Sequence, residues 1–195
     1  MTMAFDAQTE QPDEALLALY AQGDPAAAHA LSQRLLPPVL RYAARMLGDM
    51  AEAEDIAQEA MLRLWRAAPG WRAGEAKVST WLWRVAANLC TDRLRRRRGV
   101  PLDSVPEPED GAPGALAAMI AADRMAALDA ALAALPERQR QAVVLRHIEG
   151  LSNPEIAAVM DIGVEAVESL TARGKRALAA QLAGRRGELG YDDAQ

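Results

Sequence analysis

Eight cationic side chains and three tryptophans fall between Trp71 and Arg98, against only two carboxylates, Glu75 and Asp92. The cations are Arg72, Lys77, Arg84, Arg93 and Arg95 to Arg98, a local charge of +6 in a chain whose formal net charge is -5. Guanidinium and ammonium groups neutralise phosphates, and indole faces stack on unpaired bases. The patch runs against the protein's own charge balance, which points to nucleic-acid contact through it. On a helix turning about 100° per residue, Leu82, Val85, Ala86 and Leu89 share one apolar sector. Trp81, Arg84, Asn88 and Arg95 share the next, with Thr91 and Asp92 at its edges. Asn and Arg are the residue types that read base edges by paired hydrogen bonds. The competing reading puts Trp81 in the core and leaves the arginines as a solvated helix end, where cations suit the dipole.

Just upstream the charge reverses. Residues 49–59 hold Asp49, Glu52, Glu54, Asp55 and Glu59 with no basic side chain. On a helix, Ile56, Met61 and Leu64 face a core. Asp55, Gln58, Glu59, Leu62, Trp65 and Arg66 form a second face, acidic and partly apolar. Such a face suits a partner with a basic helical surface. The alternative is a solvated acidic face with Trp65 tucked inward.

The elements that must position these residues are helical. Among 195 residues Ala and Leu dominate, β-branched residues are sparse and only one Phe occurs, which is all-α usage. Pro12-Asp13-Glu14 opens a helix that Gly23-Asp24 ends, and Pro25 opens a longer one that Gly48 closes. A third helix spans about Met50 to Ala67, and Ser79 is the expected N-cap of a fourth. Residues 100–114 carry four prolines, two glycines and only acidic charge, so a flexible linker is expected there. The reading is therefore two small helical domains, 13–99 and 115–183, with tails at 1–12 and 184–195. No apolar run approaches ~18 residues and no secretion signal is visible, so a cytoplasmic chain without membrane insertion is expected. The lone Cys90 reads as a small buried hydrophobe, and with His29 and His147 distant in sequence no metal site or cofactor is expected.

The second domain carries a helix-turn-helix pattern. Helices resume near Ala115, and Pro136-Glu137 starts another that Gly150 ends. Ser152-Asn153-Pro154-Glu155 is a capping box, Ile156 to Met160 a short helix, and Asp161-Ile162-Gly163 a tight turn. Val164 then begins a longer helix with Val167 and Leu178 inward, and the small Ala157 is expected to let the two helices approach. Arg173, Lys175 and Arg176 lie toward the end of that helix, placed for phosphates. An ordinary αα-corner reads the same way locally.

Taken together, AEDIAQEAMLRLWRAAPGW, STWLWRVAANLCTDRLRRRR and LDAALAALPERQRQAVVLRHIEGLSNPEIAAVMDIGVEAVESL, in that order, resemble the extracytoplasmic-function sigma factors of bacterial RNA polymerase. The resemblance covers about residues 13–183. It implies that the first domain is sigma region 2 and the second region 4. It further implies that Asp55, Gln58, Glu59, Leu62, Trp65 and Arg66 dock on the core polymerase. Trp71, Arg72, Lys77, Thr80, Trp81, Arg84, Asn88 and Arg95 would hold and melt the -10 promoter element. Val164, Glu165, Glu168, Ser169, Arg173, Lys175 and Arg176 would meet the -35 element. The implied function is an alternative, non-enzymatic sigma factor that starts transcription of a stress or envelope-response regulon. An anti-sigma factor would hold it inactive.

The chain departs from the family pattern at several positions. Glu168 stands where many members have Lys, and Leu170-Thr171 where many have Arg-Leu. A carboxylate repels phosphate and accepts from a cytosine amino group, so the family's -35 sequence does not transfer. Asp161 replaces a usual Gly but tolerates positive φ. Leu82 replaces the second aromatic of a melting pair, shifting that work to the loop before Lys77. A simple helix-turn-helix repressor would leave residues 49–98 without a task. No nucleophile-base pair or phosphate loop suggests an enzyme. In a purely structural α-protein the arginines would be surface charge alone.

Overall fold

The computed structural model describes residues 11–72, 74, 76–98 and 116–183. The expected linker and C-terminal tail lie outside the described residues, as does the N-terminal tail apart from residues 11 and 12. All regular structure among the described residues is helical. The first block holds α1 (Asp13–Ala21), α2 (Pro25–Leu47), α3 (Met50–Ala67) and α4 (Val78–Arg98). The second holds α5 (Leu116–Ala133), α6 (Glu137–Val143), α7 (Asn153–Met160) and α8 (Val164–Ala183).

Helix α2 is the spine. Asp24 caps it by accepting from the Ala26 amide at 2.9 Å, and Gly48 ends it at φ 66°, a left-handed conformation that glycine adopts without strain. Leu31, Leu35, Val39, Tyr42 and Met46 recur at helical spacing and are buried. Helix α3 meets them through Ala53, Ile56, Ala57, Ala60, Met61 and Leu64, whose four-residue and three-residue steps make one stripe. The alanines let α2 and α3 close tightly, and each fully buried leucine contributes about 2 kcal/mol. Pro37 and Pro38 lie inside α2 without ending it. They remove two amide donors, and the packing on both sides of the helix outweighs that loss.

The start of α4 differs from expectation. Ser79 does not cap it; the helix begins at Val78, and the Val78 amide donates to Glu14 Oε1 of α1 at 3.1 Å. A carboxylate from another helix thus does the work assigned to a local serine. The far end of α4 is tied down as well. Arg97 donates to the Leu47 carbonyl at 2.7 Å and pairs with Glu52, while Arg93 lies 3.3 Å from Glu52. Two members of the arginine run are therefore structural.

In the second block, the capping box of α7 forms as expected: the Glu155 amide donates to Ser152 Oγ and the Ser152 amide to Glu155 Oε2 at 3.0 Å. Asp161 turns the chain at φ 52°, ψ 55°. Ala157 is packed on the core between the motif helices, and a further close approach falls at Gly174 of α8 against α6. A Cβ on Gly174 would stand 2.6 Å from a γ-methyl of Val143. Val167 is fully buried, Leu178 only partly. A wide π-turn over Val144–Ile148 follows α6.

The buried apolar cluster runs through both blocks. Helix α7 packs on α4, and α5 and α6 pack against α2. Arg140 of α6 donates to the Met46 carbonyl at 2.8 Å, and Arg41 of α2 pairs with Glu149 at 3.1 Å.

Candidate nucleic-acid interface

Two faces of the first block carry the chemistry. On α3, Asp55, Gln58, Glu59 and Leu62 line one cleft, whose other wall is Leu89, Asp92, Arg93 and Arg96 of α4. Leu62 is 47% exposed, a large apolar side chain left open among carboxylates. Glu59 accepts from Arg63 at 2.8 Å, and this hydrogen bond holds its carboxyl below the usual range. Arg66 is exposed. Trp65 is half-buried on the core and meets Tyr20 at a ring separation of 4.5 Å.

The second face lies on α4 and the loop before it. Arg84, Asn88, Thr91 and Arg95 line one wall of a cleft, and Arg84, Asn88 and Arg95 are exposed. Trp71 and Trp81 form an edge-to-face pair with centroids 5.7 Å apart, both partly buried on the core. Trp83, by contrast, is buried against Tyr42 and belongs to the core. Arg72 and Lys77 are exposed at the start of this face, and Thr80 is half-buried. The fold thus brings Arg84, Asn88 and Arg95 together in one cleft and pairs Trp71 with Trp81. Cys90 is buried on the opposite side of α4, and burial pushes its thiol up to about 12.

On α8, Val164, Glu165, Glu168, Ser169, Arg173, Lys175 and Arg176 are all exposed. Asn153 at the start of α7 donates to Glu168 at 3.4 Å, so the unusual carboxylate is held toward the first helix of the motif. Arg173 folds back on the Ser169 carbonyl at 3.2 Å. Lys175 borders an apolar groove with Leu128, Leu132, His147 and Leu178. Desolvation, with Lys175 and Arg146 nearby, holds His147 below its ordinary value.

Sequence reasoning missed the groups that face the α4 edge from the second block. Glu155 pairs with Lys77 at 3.2 Å, while Glu137, Arg138 and Asp161 line the wall opposite Arg84 and Arg95. No local signal marks them, because the partners lie far apart along the chain. Among the described residues no group of acidic, His and Cys side chains could hold a metal ion, and no helix is long and apolar enough to cross a membrane.

Comparison with known proteins adds an independent line. Residues 31–100 match the Sigma-70 region 2 family, and residues 125–178 match Sigma-70, region 4. The chain is 35% identical over 149 residues to the ECF RNA polymerase sigma factor SigW of Bacillus subtilis, covering 71% of this chain and 79% of SigW. It is 33% identical over 181 residues to the RNA polymerase sigma-H factor of Pseudomonas aeruginosa, covering 87% of this chain and 93% of that protein. Against SigE of Mycolicibacterium smegmatis, 35% identical over 153 residues, the match takes 74% of this chain but only 57% of that longer relative. Among solved structures, CnrH in complex with the cytosolic domain of CnrY superposes with a TM-score of 0.69 at 26% identity, over 88% of this chain and 97% of CnrH.

Proposed function

We infer the function from a shared ancestry: the chain belongs to the extracytoplasmic-function sigma factors of bacterial RNA polymerase. We propose that it binds core polymerase through Asp55, Gln58, Glu59, Leu62, Trp65 and Arg66. The open Leu62 among acidic side chains supports this docking face, since apolar area gives affinity and charge gives orientation.

Promoter recognition divides between the blocks. Trp71, Arg72, Lys77, Thr80, Trp81, Arg84, Asn88 and Arg95 take the -10 element. The arginines hold phosphates, and Trp71 and Trp81 stack on bases as the strands part. Helix α8 enters the major groove at the -35 element, with Val164, Glu165, Glu168 and Ser169 toward bases and Arg173, Lys175 and Arg176 toward the backbone. The domain limits follow these roles: region 2 over 13–99, region 4 over 115–183. The factor itself carries out no bond chemistry; it acts beside the polymerase in the cytoplasm. Its targets are a stress or envelope-response regulon, and an anti-sigma protein restrains it.

The observation that carries this reading is the pair of exposed, oppositely charged faces on adjacent helices α3 and α4. Reconstituted transcription tests it. Purified chain plus core polymerase should give a specific start at a promoter enriched by selection. No specific start at any enriched promoter would overturn the proposal.

A further inference from the structure

Helix α8 splits its charge along one stripe. Val167 and Gly174 are buried. Glu165, Glu168, Ala172 and Lys175 recur at three- and four-residue steps, and all four are exposed. The stripe opens on carboxylates and closes on cations, with Arg173 and Arg176 beside Lys175. Cations at that end suit phosphates, but a carboxylate is repelled by them, so the first turns of α8 must face base edges. We propose that Glu168 reads a cytosine in the -35 element, and that Asn153 is the positioning residue that aims its carboxylate. This rests on the assignment of α8 to that element.

A carboxylate only accepts hydrogen bonds. In the major groove guanine offers two acceptors, thymine an acceptor and a methyl, and adenine a donor beside an acceptor. Cytosine offers an amino group alone, so it satisfies this side chain best. Glu168 is set apart from Glu165 by its tether. Asn153, half-buried at the start of α7, donates from Nδ2 to Glu168 Oε1 at 3.4 Å, which leaves Oε2 to accept from a base. The tether crosses from the first helix of the motif to the second, so part of the ordering that binding demands is already in place. Asn153 takes no part in the capping box of Ser152 and Glu155, so it can be replaced without uncapping α7.

The test uses the full chain with core polymerase and a promoter library randomised across the -35 element, sequenced after binding. The parent should enrich cytosine at one position. Glu168→Gln keeps the shape and adds a donor, and a side-chain amide pairs with adenine N6 and N7. That position should therefore move to adenine, by roughly tenfold in relative preference. Glu168→Lys should move it to guanine. Every other position should stay as in the parent. Asn153→Ala should relax the cytosine preference about threefold and leave the other positions and the melting temperature unchanged, a pattern that a merely structural asparagine would not give. Base preferences unaltered by both Glu168 variants, or variants that weaken every sequence alike, would overturn the inference. Undiminished cytosine preference in Asn153→Ala would remove Asn153 from it. A parent that gives no specific start at any promoter would sink the sigma-factor reading itself, whereas a specific start with preferences blind to Glu168 sinks this inference alone.

Discussion

Gly174 of α8 lies so close to Val143 of α6 that a single added carbon would stand 2.6 Å from the valine methyl and 3.3 Å from the Gln139 carbonyl. Valine cannot swing aside, because branching at Cβ fixes its rotamer. Gly174→Ala should gain roughly 1 kcal/mol of helix propensity and lose about 1–3 to overpacking, for a net loss near 1 kcal/mol. Urea unfolding measures it. In a Val143→Ala background the alanine should become neutral or stabilising, and equal effects in both backgrounds would remove the steric explanation.

Within the arginine run, neighbouring residues should behave differently. Arg97 caps the end of α2 and pairs with Glu52, so Arg97→Ala should cost roughly 1 kcal/mol after allowance for its partial exposure. Arg96 is exposed, and Arg96→Ala should stay within about 0.5 kcal/mol of the parent. Equal melting temperatures for the two variants would contradict the assignment.

On the polymerase face, Asp55→Lys with Glu59→Lys should weaken core binding by at least about tenfold, because like charges then meet across the interface. Circular dichroism should not change, since both side chains point away from the core. Undiminished affinity would mark this as an ordinary solvated surface.

The paired tryptophans make a separate prediction. Trp81→Ala should spare closed-complex formation and impair strand opening, since each stacked base is worth roughly 1–3 kcal/mol. Arg95→Ala should weaken both and lower the salt dependence by about one unit of slope. Permanganate footprinting separates the steps. Normal opening by Trp81→Ala would make Trp81 a packing residue and leave stacking to Trp71.

Acid should loosen α7 through one carboxylate. Hydrogen bonds from the Ser152 hydroxyl and amide, with Lys77 beyond them, hold Glu155 down at about 2. A depressed folded value means the stabilisation is complete above the ordinary carboxyl value of 4.5 and drains away as pH falls toward 2. Ser152→Ala should cost about 1 kcal/mol at neutral pH and flatten the loss of stability between those limits. Denaturant midpoints at pH 6 and pH 3 check both.

What could be read from the sequence was local. The box at Ser152 and Glu155, the turn at Asp161 and the stop at Gly48 each lie within four residues of their partners, and all formed. The grouping of Arg84, Asn88 and Arg95 followed from helical periodicity alone. The misses share the opposite property. Glu14 reaches Val78 across 64 positions, Arg97 reaches Leu47 across 50, and Arg140 reaches Met46 across 94. Periodicity cannot see such pairs, because a carboxylate or guanidinium on a helix surface looks the same whether solvent or a distant backbone receives it. Gly174 was visible as a glycine inside a helix, but only the neighbouring α6 shows why no side chain fits.

Met46 and Leu47 offer adjacent carbonyls, and each takes a guanidinium from a different block. Leu47 keeps Arg97 from within the first block, because Glu52 and Asp49 hold that arginine there. Met46 is buried, so its carbonyl takes its cross-block donor from Arg140 rather than from solvent. Substitutions at position 140 would then disturb the seam between the blocks while leaving the Arg97 contact at the end of α4 in place. In evolutionary terms, the seam between the blocks and the end of α4 are written in different residues, and a lineage can adjust one without rewriting the other.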